Sequence, residues 1–373
     1  MSTQPPLFPD FAPDPAGNNT FPLAVIELGT SAIRLAIGVT DGLSPVRNLE
    51  QLVQGVSLGK DTFTRGEIQR STQQQCVDVL KTYRRKLEEY QCTNPRHIRV
   101  VATSAVREAQ NRMAFLDRIY TATGFNVEVI DDAEIARVTY LTMRPVLQSH
   151  PRLRDATTIL MEVGGGSTDV LILQGKDILH SQSWRLGSLR LQEMLKTYTT
   201  AHGRSVDIMT GQIERVLEQI HGVVPRGQPV ELVALGGDVR FAAREMQRNV
   251  SQSPIVRLPV QDLARLTRDI QNLSIDQIAL KFHVELSQAE TLVPALLTNV
   301  LAAQMLGVTD VLVTPFNLRD ALLNSLLRSS EWTEEFSEQV IHSAREFARR
   351  YHVDLKHAEH VARLTQQLFE GLQ

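Results

Sequence analysis

Two short stretches of this chain repeat one device: an apolar strand closed by an acid, a tight turn of glycine and hydroxyl residues, and a second apolar strand. The first copy is Leu23-Ala24-Val25-Ile26, then Glu27-Leu28-Gly29-Thr30-Ser31, then Ile33 to Val39. The second is Thr158-Ile159-Leu160-Met161, then Glu162-Val163-Gly164-Gly165-Gly166-Ser167-Thr168, then Asp169 to Leu173, and a further strand runs from Ile178 to Trp184. Short apolar runs with period-two alternation, bounded by glycine and hydroxyl residues, predict strands joined by tight turns. The two acids stand 135 residues apart, a spacing of whole domains and not of a solenoid repeat.

Between and after the copies, helical and strand patterns alternate. Helices are predicted at about residues 70–90, 111–123, 260–272 and 288–306, and strands at 98–102, 232–235 and 311–314. This order predicts an α/β chain in two lobes. At about 100–200 residues per domain, 373 residues suit two lobes plus a fragment. Residues 1–22 hold six of the sixteen prolines and read as a flexible, partly extended tail. After about Ser330 the chain is helical, with Phe347, Tyr351, Leu355, Val361, Leu364 and Leu368 forming an apolar stripe. That stripe either packs on the second lobe or opens a further domain. The expected divisions are therefore 1–22, 23–147, 148–329 and 330–373.

Composition narrows the function classes. With 39 basic and 42 acidic residues the formal net charge is −3, which argues against indiscriminate attraction to nucleic acid or membrane. A polyanion would need a local basic patch. Two cysteines, Cys76 and Cys92, cannot build a disulfide framework, and the expected location is a reducing cytoplasm. No segment reaches the ~20 apolar residues of a membrane span, and no secretory leader is expected at the start. Basic clusters at Lys81, Arg84, Arg85 and Lys86, at Arg96 and Arg99, and at Arg345, Arg349 and Arg350 read as solvated helix faces. His352, His357 and His360 read as helix histidines, not metal ligands.

The turns carry the chemistry. Without a Cβ, glycine lets the backbone approach an anion, and successive N–H groups can point at its oxygens. An acid closing the preceding strand can hold a divalent cation against the same phosphate. Two such turns, each preceded by an acid, predict a facing pair of phosphate loops across an interlobe cleft.

At this point the chain resembles a known family. Glu27 to Leu35, Val101-Ala102-Thr103-Ser104-Ala105-Val106-Arg107-Glu108-Ala109-Gln110-Asn111, Glu162 to Val170, Leu186 to Leu191 and Phe316 to Leu323 are similar to segments of the exopolyphosphatase / guanosine pentaphosphate phosphohydrolase (Ppx/GppA) family of the actin-like superfamily. The resemblance runs from about Leu23 to Leu327, and the tail resembles the start of an HD-type domain. It implies an α/β fold of two ribonuclease-H-like (actin-like ATPase) lobes with an interlobe cleft. It also implies Mg²⁺-dependent hydrolysis of a terminal phosphoanhydride of inorganic polyphosphate or of guanosine pentaphosphate (pppGpp). The implied partners are inorganic polyphosphate or guanosine penta- or tetraphosphate, with no DNA and no membrane, and a homodimer is left open.

Carried over residue by residue, Gly29, Thr30 and Ser31 and Gly164, Gly165, Gly166, Ser167 and Thr168 would cradle the phosphates. Gly236 and Gly237 take the place of the superfamily's nucleotide-proximal glycines, and Arg107 would offset charge on the transferred phosphoryl group. Glu27 and Glu162 take the positions of the metal-associated aspartates, and Glu134 is a candidate base. The chain departs from the pattern at three points. Both metal positions carry Glu in place of Asp, Ser31-Ala32 replaces Asn-Ser, and Ile135 stands where the family has its water-activating Glu. Adjacent helical residues point about 100° apart, so Glu134 cannot simply take over that place. Two functions stay open: a hydrolase with Glu27 or Glu134 as base, or a binding protein that senses phosphate chains. The Val101–Asn111 segment argues against a third, a small-molecule kinase.

Overall fold

The computed structural model describes residues 20–42, 46–175, 177–196, 202–246 (backbone only at 202–205), 255–327, 341, 344–345, 348 and 353–371. The proline-rich stretch up to residue 19, together with Phe347, Tyr351 and His352 of the tail, lies outside the described residues.

The first lobe contains β1 (Phe21–Leu28), β2 (Ala32–Thr40), β3 (Arg47–Gly55), α1 (Leu58–Arg65), α2 (Arg70–Glu89), β4 (Ile98–Ala102), α3 (Ser104–Glu108), α4 (Arg112–Thr123) and β5 (Val127–Val129). Next come α5 (Asp132–Ser149) and α6 (Pro151–Arg154). The second lobe holds β6 (Thr157–Val163), β7 (Thr168–Gln174), β8 (Asp177–Trp184), α7 (Ser188–Lys196), α8 (His202–Gly222), β9 (Val230–Leu235) and α9 (Gly237–Glu245). It continues with β10 (Val256–Pro259), α10 (Val260–Gln271), α11 (Ile275–Phe282), α12 (Leu286–Met305) and β11 (Asp310–Val313). Helix α13 (Leu318–Leu327) follows, and α14 (Leu355–Gly371) lies in the tail.

The duplication is carried through the topology. Sheet one runs β3-β2-β1-β4-β5, and sheet two runs β8-β7-β6-β9-β11 with β10 added at its far edge. In each, the first two strands form an antiparallel hairpin and the next pairings are parallel. The central strands are apolar on both faces because helices cover both.

Helix α5 is shared between the lobes. Its first half buries Ile135 and Val138 with Leu23, Val25 and Val101 of sheet one. Its second half buries Tyr140, Met143, Val146 and Leu147 with Leu160, Leu171 and Val233 of sheet two. Asp131 caps it by accepting a hydrogen bond from the Glu134 amide at 2.8 Å, an arrangement worth about 1 kcal/mol. Helix α13, which the sequence grouped with the second lobe, lies on the first sheet: Ala321, Leu322 and Leu323 pack with Leu23, Val25 and Ala36. The chain therefore crosses twice, at α5 and between β11 and α13. The reason is burial: the back of sheet one is apolar and α5 alone leaves part of it uncovered.

In the tail, α14 carries Val361, Leu364 and Leu368 exposed, so this part of the predicted stripe has no partner among the described residues. Cys76 and Cys92 are both buried and unpaired, and burial pushes each thiol up to about 12. Among the described residues, no helix is long and apolar enough to cross a membrane.

Candidate active site

The two predicted turns meet. Gly29–Ser31 joins β1 to β2, and Gly164–Ser167 joins β6 to β7. Each is closed by one backbone hydrogen bond, from the Gly29 amide to the Ala32 carbonyl at 3.0 Å and from the Gly164 amide to the Ser167 carbonyl at 2.8 Å. A Cβ on Gly165 would sit 2.9 Å from Thr30 Cβ, and one on Gly166 would collide with Ser104 Oγ and lie 2.7 Å from Phe63 Cζ. Real Cβ atoms do not come so close, so glycine is required for the second loop to touch the first lobe. The carbonyls of Thr30, Ser31, Gly164, Gly165 and Gly166 accept hydrogen bonds from surrounding groups, which leaves the intervening amides as the loops' donors for an anion.

These loops floor an interlobe cleft of about 460 Å³. Of the residues the sequence singled out, Glu27, Gly29, Thr30, Ser31, Arg107, Glu162, Gly164, Gly165, Gly166, Ser167, Gly236 and Gly237 line it. Thr168 and Glu134 do not. Thr168 is fully buried and its hydroxyl donates to the Leu186 carbonyl, so its place is in the fold. Glu134 is turned toward two arginines, Arg137 at 2.7 Å and Arg99 at 3.0 Å. Burial opposes its charge, but these arginines outweigh it and hold the carboxyl below the usual range. The Glu134 carboxylate therefore faces Arg99 and Arg137 and not the cleft. Ile135, on the adjacent position of α5, is the residue that lines it.

The acids have opposite surroundings in the two halves. In the β1–β2 hairpin Glu27 stands across from Arg34; in the β6–β7 hairpin Glu162 stands across from Asp169. Both partners lie seven residues after the acid. Glu27 Oε2 accepts a hydrogen bond from Arg319 Nη1 at 2.6 Å, and Arg34 Nη1 lies 3.7 Å from Oε1. Burial works against the Glu27 charge, but the two guanidiniums prevail and its carboxyl is held low. Glu162 is pushed up to about 7 by burial and by Asp169 and Glu27, with Arg240 and Arg319 opposing. Burial, resisted by a hydrogen bond from Ser183 and increased by Asp132, pushes Asp169 up to about 6. Asp238, deep in the same cleft, is pushed up to about 7 by burial, with Arg240 and Arg34 opposing.

Four arginines converge on the cleft: Arg34, Arg107, Arg240 and Arg319. Arg107 is oriented by donating to the Ile130 carbonyl at 2.8 Å and to Asp132 at 2.6 Å. Arg240 donates to the Phe316 carbonyl at 3.1 Å and so fixes the segment that brings in Arg319. The sequence assigned no role to Arg34, Asp169, Asp238, Arg240 or Arg319. For Arg34 and Asp169 the signal was available: a tight turn in a hairpin places the residue seven positions on opposite the acid. For the others the contacts are long-range.

The cation expected from the resemblance was assigned to Glu27 and Glu162. Glu27 does not fit that role in this arrangement, because arginine already occupies its carboxylate. Glu162 does fit: it lines the cleft, makes no hydrogen bond to an arginine among the described residues, and crowds against Asp169 and Glu27, a surplus of negative charge that a cation relieves. Among the described residues, no group of three or more His, Cys, Asp or Glu is arranged to hold a metal.

With this geometry in hand, likeness to known proteins is informative. The family model of the Ppx/GppA phosphatase family matches residues 28–330. A guanosine-5'-triphosphate,3'-diphosphate pyrophosphatase of Photobacterium profundum is 26% identical over 200 residues, a match spanning 52% of this chain and 38% of that protein. One from Aliivibrio fischeri (strain MJ11) is 21% identical over 353 residues, covering 93% of this chain and 67% of that protein. Among solved structures, an exopolyphosphatase from Cytophaga hutchinsonii superposes with a TM-score of 0.70 at 23% identity, over 82% of this chain and 98% of that one. The Aquifex aeolicus member of the Ppx/GppA family gives 0.66 at 21%, over 84% and 100%. At such identities the solved structures establish the fold, two actin-like lobes about a cleft. The match over residues 28–330, in a chain with this fold and both glycine loops in its cleft, places the protein in the Ppx/GppA phosphatase family.

Proposed function

We propose that this protein hydrolyses a terminal phosphoanhydride, in inorganic polyphosphate or in pppGpp. The observation that carries this reading is the contact between the two glycine turns, Thr30 against Gly165, ringed by four arginines. A phosphate chain held there meets backbone donors from both lobes and the guanidiniums of Arg34, Arg107, Arg240 and Arg319. Phosphoryl transfer asks chiefly for alignment and charge neutralisation, and this cleft offers both. The loop amides hold the terminal phosphoryl group, and Arg107, fixed by Asp132 and Ile130, neutralises charge that develops on it. Bound Mg²⁺, with Glu162 as its protein ligand, would supply further neutralisation of the phosphate oxygens.

What the cleft lacks is a carboxylate at position 135. Ile135 presents a hydrocarbon side chain where the resemblance implies a carboxylate, and Glu134 lies outside the lining. Losing a general base typically costs ~10²–10⁴ in rate, so turnover is slow but not abolished. The same observation favours a second reading, a protein that binds polyphosphate or guanosine penta- or tetraphosphate as a sensor. The likeness to pppGpp pyrophosphatases supports a part in nucleotide stress signalling, and the buried, unpaired thiols support a reducing cytoplasm.

The deciding experiment measures Mg²⁺-dependent phosphate release from long-chain polyphosphate and from pppGpp, with Ile135→Glu alongside. Release by the unaltered protein, lost in Arg107→Ala, supports the hydrolase. Release by Ile135→Glu alone supports the sensor. Silence from both overturns the hydrolase reading.

A further inference from the structure

The structure separates two acids that the duplication makes equivalent. Among the described residues Glu162 has no arginine hydrogen bond, whereas Glu27 is bonded to Arg319 at 2.6 Å with Arg34 at 3.7 Å. All three groups are largely buried, with side-chain exposures of 12% for Glu27, 15% for Arg319 and 27% for Arg34. They line the cleft between the phosphate loops. Arg319 is delivered by a segment held independently of Glu27. Asn317 Oδ1 accepts hydrogen bonds from the Arg319 and Asp320 amides at 3.0 and 3.2 Å, and Arg240 holds the Phe316 carbonyl. The guanidinium would therefore stay in the cleft if its carboxylate partner left.

We propose that Glu27 is an internal competitor for Arg319: its carboxylate occupies the guanidinium that an entering phosphate chain takes, so the chain binds by displacing a built-in anion. This deepens the phosphate-binding reading and rests on it. A phosphate oxygen pair matches the guanidinium fork as a carboxylate does, and carries more charge, so the exchange runs toward the ligand. An acid shorter by one methylene, as the resemblance implies at this position, would retract by roughly an ångström and hold Arg319 less well. The longer Glu27 thus raises the threshold at which phosphate enters. Displaced from Arg319, Glu27 keeps only the more distant Arg34 and stands beside Glu162, so phosphate entry precedes any use of Glu27 toward a cation.

The test is binding of inorganic tripolyphosphate in excess EDTA, measured by calorimetry with no turnover involved. The proteins are the unaltered chain, Glu27→Gln, Glu27→Asp, Glu162→Gln, Arg319→Gln and the Glu27→Gln/Arg319→Gln pair, each checked for an intact thermal transition. Glu27→Gln should bind about tenfold tighter, and Glu27→Asp, which keeps the charge, severalfold tighter. Glu162→Gln should gain less than about threefold, and the Glu27→Gln gain should vanish when Arg319 is also replaced. Glu27→Gln binding no tighter than the unaltered chain overturns the proposal. So does an equal gain in Glu162→Gln, which would make the effect mere removal of charge, or a gain that survives loss of Arg319. Those outcomes leave phosphate binding itself standing. Failure of every protein to bind tripolyphosphate overturns the phosphate reading and the competitor role together.

Discussion

The Arg190 guanidinium of the second lobe lies 3.9 Å from the ring centroid of Phe63 in the first. The same side chain donates to Glu108 at 2.6 Å and to the Gly166 carbonyl at 2.9 Å, so one arginine ties the second glycine loop to α1 and α3 of the opposite lobe. Arg185 joins it on Glu108, and Lys60 of α1 reaches Glu290 of α12 at 2.8 Å. These contacts form a clasp between the lobes. Replacing Arg190 with Ala removes the ring contact, the pair and the loop anchor at once. It should weaken tripolyphosphate binding by about tenfold, while the unfolding midpoint drops only a few degrees. Calorimetry and a thermal melt of the same sample check both.

Gly166→Ala should be more damaging to the site than to the fold. Its added methyl meets Ser104 and the Phe63 ring, so the lobes must separate for it to fit. Each lobe has its own core, so both lobes should stay folded. Phosphate-chain affinity should fall by at least about tenfold, because the paired loops no longer meet. Solution scattering should report a larger radius of gyration.

Ile135→Glu and Glu134→Ala make opposite predictions. A carboxylate at 135 enters the cleft wall and should raise phosphate release by roughly 10²-fold. It also places a charge where Ile135 is packed with Val138 and Leu23, so the melting temperature should fall. Glu134→Ala breaks two partly buried ion pairs and should cost about 1 kcal/mol of stability, with release unchanged within about twofold. A steady-state assay on the two variants is decisive about which face of α5 serves the site.

Stability should fall as pH rises through the range set by Glu162. Its carboxyl moves from 4.5 to about 7 on folding, so between these values the folded state holds more protons than the unfolded one. Unfolding free energy then decreases with rising pH, by up to about 3 kcal/mol across the window. Asp169 and Asp238 shift the same way and add to the trend. Denaturant unfolding at pH 5 and pH 8 measures it, and Glu162→Gln should flatten the slope.

Much of the architecture was legible because its signals are local. Strand β4 was read at its observed limits, and the helices now seen at Arg70–Glu89 and Val260–Gln271 were read to within a residue, since buried positions recur every three or four residues. Strand β3 was not read. It is an edge strand, exposed at seven of its nine positions, and it carries no alternation of apolar and polar residues. Helix α8 was also missed, as was the destination of α13, which depends on a sheet formed almost 300 residues earlier in the chain. Within the site, the glycine turns and their acids could be found because a loop's donors and conformational freedom belong to the loop itself.

The duplicated hairpin, the two lobes and the pair of glycine turns were legible in the residues alone, because all are products of short-range pattern. Glu27 and Glu162 were interchangeable at that level. Only the tertiary structure made them different, seating one against Arg34 and the distant Arg319 and the other against Asp169. Charge interactions follow distance in space, and burial strengthens them, so the state of a carboxylate is decided by neighbours the chain supplies from anywhere along its length.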